Sequence, residues 1–158
     1  MNARASRGFT LVEMMVVVLI LGILFRAALP NFVALKRDAV AARAVSELNV
    51  VREAAMSCYA QTGTWPAERP EGTIPPELVS HLPHGFTFEH NDYQINWENW
   101  TLPDGLPEYP ATRVLVGVSI TTHDVLLGRT VVNRLKSAGA AYTIGDSYTL
   151  PITTLEDP

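Results

Sequence analysis

Twelve consecutive uncharged apolar residues, Met14 through Phe25, set the first pattern in the chain. With its flanks the stretch runs from Phe9 to Leu29, 21 residues, and as a helix it spans about 31 Å, close to the hydrocarbon thickness of a bilayer. One membrane crossing is expected. Beyond Pro30, apolar residues recur at Phe32, Leu35, Ala39, Ala42, Val45, Leu48, Val51, Ala55 and Cys58 or Tyr59. This three-and-four spacing carries the helix on to Thr62, where Gly63 is a suitable stop. The whole element, Phe9 to Thr62, is 54 residues, about 80 Å if wholly helical. A helix this long cannot be buried by the rest of the chain alone: residues 9–29 must find lipid or copies of themselves, while residues 30–62 offer a face to a head at 63–158. A coiled-coil stalk is the alternative, but the stripe is alanine-rich and lacks steady leucine positions.

The head has a different rhythm. Residues 64–86 hold Pro66, Pro70, Pro75, Pro76 and Pro83 and predict a loop-rich connector with one short helical turn near Glu77–His81. Alternation over Thr87–Trp97 predicts a half-buried strand with an irregularity near Asn91-Asp92. Leu102–Pro110, with Pro103-Asp104-Gly105, predicts a turn, and the β-branched run Arg113–Thr121 a central strand. Leu127, Val131 and Leu135 share one face of a predicted short helix, Asp124–Lys136, ending before Gly139. Tyr142–Leu150 predicts a hairpin through Gly145-Asp146-Ser147. The expected fold class is α+β: a long N-terminal helix with a small antiparallel sheet laid on its second half.

Charge changes the picture in one respect. Residues 9–62 carry five Lys/Arg against four Asp/Glu, whereas residues 63–158 carry five against twelve, a net of −7. An acidic head lacks the clustered cations that displace counterions from phosphate backbones, so nucleic acid is an unlikely partner. Cys58 is the single cysteine, which excludes an intramolecular disulfide; with Ala54, Ala55 and Tyr59 nearby it reads as a small buried apolar residue.

Glu13 stands at the mouth of the apolar helix, where a carboxylate needs a partner or an interface. A secretory signal peptide would use Arg4 and Arg7 as its charged region and Met14–Phe25 as its apolar one. The following Phe25-Arg26-Ala27-Ala28-Leu29-Pro30 has no A-x-A triplet, and the apolar period runs on, so the segment reads as retained. Arg4 and Arg7 before the span face Arg26, Lys36, Arg37 and Arg43 after it, and the positive-inside rule leaves orientation open.

Gly8-Phe9-Thr10-Leu11-Val12-Glu13, the apolar run with Gly22 inside it, and Leu29-Pro30-Asn31-Phe32 together resemble the N-terminus of type IV pilins and type II secretion pseudopilins. The resemblance is close over residues 7–32 and looser to 62. It implies a leader at residues 1–8, cleavage by a prepilin peptidase between Gly8 and Phe9, and N-methylation of Phe9. It also implies a single pass through the inner membrane, N-terminus cytoplasmic and head periplasmic, and then a filament or cell-surface position. Partners implied are other pilin or pseudopilin subunits, an inner-membrane platform protein, an assembly ATPase and the lipid bilayer. Glu13 would then pair with the new Phe9 amine of a neighbouring subunit, giving each charge its counter-ion and favouring the correct stagger. Gly22 would permit close helix approach, and Pro30, which removes one backbone hydrogen bond, would kink the rod. Arg26 departs from the family pattern, its long stem able to snorkel to headgroups or its charge to meet an acidic neighbour.

The head offers no catalytic motif. Gly117-Val118-Ser119-Ile120-Thr121 misses the nucleophile-elbow pattern at its last position and lies inside a predicted strand. His81, His84, His90 and His123 do not fall at metal-binding spacing, and are read as solvated or structural. Asp104, Glu108, Asp146, Glu156 and Asp157 lack the spacing of a calcium loop, so no cofactor is expected, with calcium in the head the weaker alternative. Trp97 and Trp100 read as packing residues. Asn99-Trp100-Thr101 matches a glycosylation sequon, a short and weak pattern. The expectation is a non-enzymatic structural subunit, the alternative a minor tip or binding subunit for adhesion, secreted-substrate or DNA-uptake recognition.

Overall fold

The structure, a computed structural model, describes residues 9–101, 112–138 and 141–156. Helix α1 runs from Leu11 to Thr62 as one element, passing through Pro30. It stops where the sequence expects: Gly63 adopts φ +73° and its N–H donates to the Tyr59 carbonyl at 2.8 Å, the left-handed cap that glycine enters without steric cost. The chain forms two compact units that divide after Lys36. In the first, the described residues form the start of α1, and every large apolar side chain from Phe9 to Leu35 is exposed.

The second unit, from Arg37 on, holds the head. Its four strands, β1 (Gln94–Thr101), β2 (Thr112–Thr121), β3 (Tyr142–Ile144) and β4 (Ser147–Glu156), form one antiparallel sheet in the order β1-β2-β4-β3. Alternation along the strands sends Ile95 and Trp97 of β1, Val116, Val118 and Ile120 of β2, and Tyr148 and Leu150 of β4 into one core. The part of α1 in this unit contributes Ala41, Ala44, Leu48, Val51, Ala55 and Cys58, all buried. The spacing is the expected three-and-four, but the stripe's first half is displaced from the sequence expectation: Ala39 and Ala42 are exposed and Val45 only half-buried. Alanines at 39, 41, 42 and 44 fit two overlapping stripes, and the one continuous with Leu48 is buried. Cys58 is a buried free thiol.

The strand expected over Thr87–Trp97 needs correction. The chain reverses at Asn91-Asp92: His90 N–H donates to the Tyr93 carbonyl at 3.1 Å, and Ile95 N–H to Phe88 at 2.8 Å. Only Gln94 onward enters the sheet, and β1 runs on to Thr101. Asn and Asp favour turns because their short side chains satisfy nearby backbone groups, which overrides the apolar alternation. The connector's helical turn is a 3-10 turn at Pro76–Leu78. The expected turn at Leu102–Pro110 and the helix stop at Gly139 lie outside the described residues.

The β3–β4 hairpin turns through Gly145, φ +58°, with no positive φ at Asp146, the signature of a type II′ turn. Pro151, which has no N–H to donate, sits at a register shift in the β2–β4 pairing between Val116 and Gly117, as a proline inside a paired strand requires.

Helix α2, Val125–Ala138, buries Leu127, Val131 and Leu135, the face its spacing predicts. Gly128 lies against the Tyr148 ring, and a Cβ there would fall inside that ring. Asp124 caps α2: its Oδ1 accepts from the N–H groups of Leu126 at 2.9 Å and Leu127 at 3.1 Å. The N–H of Leu127 above all, with that of Leu126 and the Arg37 guanidinium 3.5 Å from Oδ2 assisting, holds the carboxyl below its usual range. A carboxyl whose folded pKa lies below the unfolded one contributes in full above the unfolded value, and loses its contribution as pH falls through the folded value. Asp124→Ala is expected to cost about 1 kcal/mol at pH 7, and less once pH drops below the folded pKa; denaturant titrations of the full-length chain at both pH values check this.

Candidate functional site

The mouth of α1 is built by a reciprocal cap. Thr10 Oγ1 accepts the Glu13 N–H at 3.2 Å, while Glu13 Oε2 accepts the Thr10 N–H at 2.8 Å and its hydroxyl at 2.9 Å. This is a capping box, and it satisfies donors that a helix start leaves free. The signal was in the sequence, a threonine three residues before a glutamate that opens an apolar run, and the reading of Glu13 as a residue in search of a distant partner missed it. Glu13 is thus held through its Oε2 by Thr10, the residue next to Phe9, within its own chain. Gly8 and the leader lie outside the described residues; Phe9 itself is 79% exposed.

Behind the cap the helix surface is apolar on all sides. An 18-residue window within α1 reaches a mean hydropathy of 2.4 with none of it buried, so nothing in the described chain covers it. A helix hydrophobic all round needs lipid or other helices. Gly22 has open space where its Cβ would stand, so no contact among the described residues asks for glycine there. Pro30 lacks the N–H that would bond the Arg26 carbonyl one turn back.

The head brings together a second group that the sequence left scattered. Glu47 of α1 accepts from Arg43 Nε at 2.8 Å and from the Tyr93 hydroxyl at 2.7 Å. His90 Nε2 stands 2.9 Å from Glu47 Oε2, within ion-pair range but off the hydrogen-bond direction. Burial first, then Glu47, pushes the Tyr93 phenol up from its usual value, so it stays a donor. The arrangement fastens the Asn91-Asp92 turn to the helix. On the sheet's other face the Glu98 carboxylate accepts from the Ser119 hydroxyl and the Trp100 indole. Glu68 accepts the Asn99 N–H at the sheet edge, and burial pushes its carboxyl up against that bond, Glu98 adding to the rise.

Among the described residues no three His, Cys, Asp or Glu side chains converge as metal ligands; Asp104, Glu108 and Asp157 lie outside them. His84 and His123 are exposed, His81 and His90 half-buried. Asn99 sits within β1, its amide donating to the Pro66 carbonyl at 2.8 Å, a poor setting for a glycosylation acceptor.

A long helix with an exposed apolar beginning, together with a four-stranded antiparallel sheet, is a pilin-like α+β architecture. Residues 3–25 match the family model of the prokaryotic N-terminal methylation motif. The chain is 38% identical over 75 residues to a type IV major pilin protein of Neisseria gonorrhoeae, covering 45% of this chain and 33% of that one. It is 43% identical over 102 residues to a fimbrial protein of Pseudomonas aeruginosa, covering 65% of this chain and 55% of the relative. The chain is therefore type IV pilin-like, and its matches span between a third and about half of these relatives. No solved structure matches it significantly.

Proposed function

We propose that this chain is a non-enzymatic structural subunit of a type IV pilus or a type II secretion pseudopilus. In this reading a prepilin peptidase cuts between Gly8 and Phe9 and Phe9 is N-methylated. The first half of α1 then anchors the subunit in the inner membrane, head in the periplasm, before an assembly ATPase and a platform protein draw it into a filament. The observation that carries the proposal is the uncovered apolar surface of α1 behind a capped Glu13, in a segment that matches the methylation motif. Gly22, which meets nothing among the described residues, serves close approach between copies, and Pro30 gives the helix a point of weakness during assembly. No cofactor is required.

Mass spectrometry of the mature N-terminus tests it: methylated Phe9 is the expected first residue, and an intact Met1 or a cut after Ala28 would sink the proposal. A second reading, a minor subunit at a filament tip, is favoured by one observation, the exposed Arg26 inside the apolar surface. The acidic head weighs against DNA as the ligand of such a tip.

A further inference from the structure

Between Phe9 and Lys36 the chain has one carboxylate, Glu13, and two cationic side chains, Arg26 and Lys36. Lys36 stands beyond the apolar run. Arg26 follows it directly, still inside the 9–29 span, is exposed, and makes no hydrogen bond or ion pair among the described residues. Its helix neighbours one turn away are Gly22, Ile23, Leu29 and Pro30, none of which can accept its charge.

In a bilayer this matters little, because Arg26 lies three residues before the end of the span and its stem can carry the guanidinium to the headgroups. In a filament the lipid is replaced by neighbouring helices. Cleavage adds a second cation, the Phe9 amine, so each copy brings an amine and a guanidinium to one carboxylate. A filament of this chain alone keeps one unpaired positive charge per subunit in its apolar bundle, which is strongly destabilising.

We infer that this chain assembles with a different pilin-type subunit, one whose apolar helix carries a carboxylate at the level of Arg26. This rests on the assembly reading above. The partner is fixed by charge complementarity: this chain's only apolar-segment carboxylate is already held by Thr10 and faces the neighbouring amine. The four-residue offset that brings the Phe9 amine of one copy level with Glu13 of the next is about 6 Å of helix. Arg26 then stands level with residue 30 of that neighbour and within side-chain reach of residue 26.

An engineered second chain supplies the test. Full-length wild type, Arg26→Leu and Arg26→Glu are expressed singly, and wild type with Arg26→Glu together, in a host that keeps its assembly machinery but lacks its own pilins. The readout is the share of each chain recovered in sheared filaments against the membrane fraction. Arg26→Leu alone is expected to assemble about tenfold better than wild type alone. Wild type and Arg26→Glu together are expected to exceed either alone, with both chains in the filament. Wild type assembling as well as Arg26→Leu, with no gain from mixing, overturns the inference and leaves the guanidinium to lipid phosphate or to a second copy's Glu13. A gain from Arg26→Leu without one from mixing overturns it too. No filament from any chain, although all are found in the membrane, sinks the assembly reading itself and the inference with it.

Discussion

Glu13→Val is expected to leave the chain inserted and cleaved at Gly8, yet to lower its incorporation beside wild-type subunits by about tenfold or more. Two losses are folded into that result, and the structure shows how to separate them. Within the chain, Glu13 accepts the Thr10 N–H and hydroxyl; valine removes this acceptor and frees the helix start. Between chains, Glu13 is the proposed counter-ion of the Phe9 amine. Glu13→Gln keeps a carbonyl oxygen for Thr10 and removes the charge. If capping is the whole role, Gln assembles nearly as wild type and Thr10→Ala does not. If the charge is the role, Gln is as defective as Val, and Thr10→Ala is the milder change. Filament recovery after shearing, with the processed mass of each variant as the control for cleavage, reads all three. Normal incorporation of both Val and Gln would count against the pairing.

What could be read ahead of the structure follows from how local each signal is. The helix end at Thr62, its glycine stop and the Leu127-Val131-Leu135 face depend on periodicity and on single capping residues, and they stand as read; the helix start does not, because α1 opens at Leu11 with Thr10 as its cap rather than at Phe9. The stripe at residues 39–45 was misplaced because alanine is small enough for either register; the choice is made by the sheet across from it, which periodicity within α1 does not contain. The start of β1 was misplaced for a related reason. Phe88 belongs to the core and so fits a strand pattern, but it reaches the core from the far side of the Asn91-Asp92 reversal. The meeting of Glu47 with Tyr93 joins residues 46 positions apart, and no spacing rule reaches that far. The capping box is legible in the sequence, since Thr10 and Glu13 are three residues apart at the start of an apolar run.

The head's stability turns on Trp97. It is 1% exposed at the centre of β1, opposite Val118 of β2, and near Trp65 at a ring separation of 6.3 Å. Trp65 stacks in turn on Tyr59 near the end of α1, centroids 4.3 Å apart. The indole N–H donates to the Pro66 carbonyl at 2.9 Å. One side chain thus joins the sheet, the proline-rich connector and the helix end. Trp97→Ala is expected to cost about 3–5 kcal/mol, a large part of the 5–15 kcal/mol typical of a small domain. Trp97→Phe keeps most of the ring and loses the hydrogen bond, about 0.5–1.5 kcal/mol. It leaves the Pro66 carbonyl with a partner, because the Asn99 amide donates to the same oxygen at 2.8 Å. Pulse proteolysis in urea on the full-length chain in detergent measures both, and hydrogen exchange at the β1 and β2 amides locates the loss. The apolar half of α1, whose large apolar side chains are exposed among the described residues, should keep its helical protection in detergent while the sheet loses its own. A cost below about 1 kcal/mol for Trp97→Ala would mean that the core closes over the gap, and that the connector is held to the sheet by Asn99 and Glu68 instead.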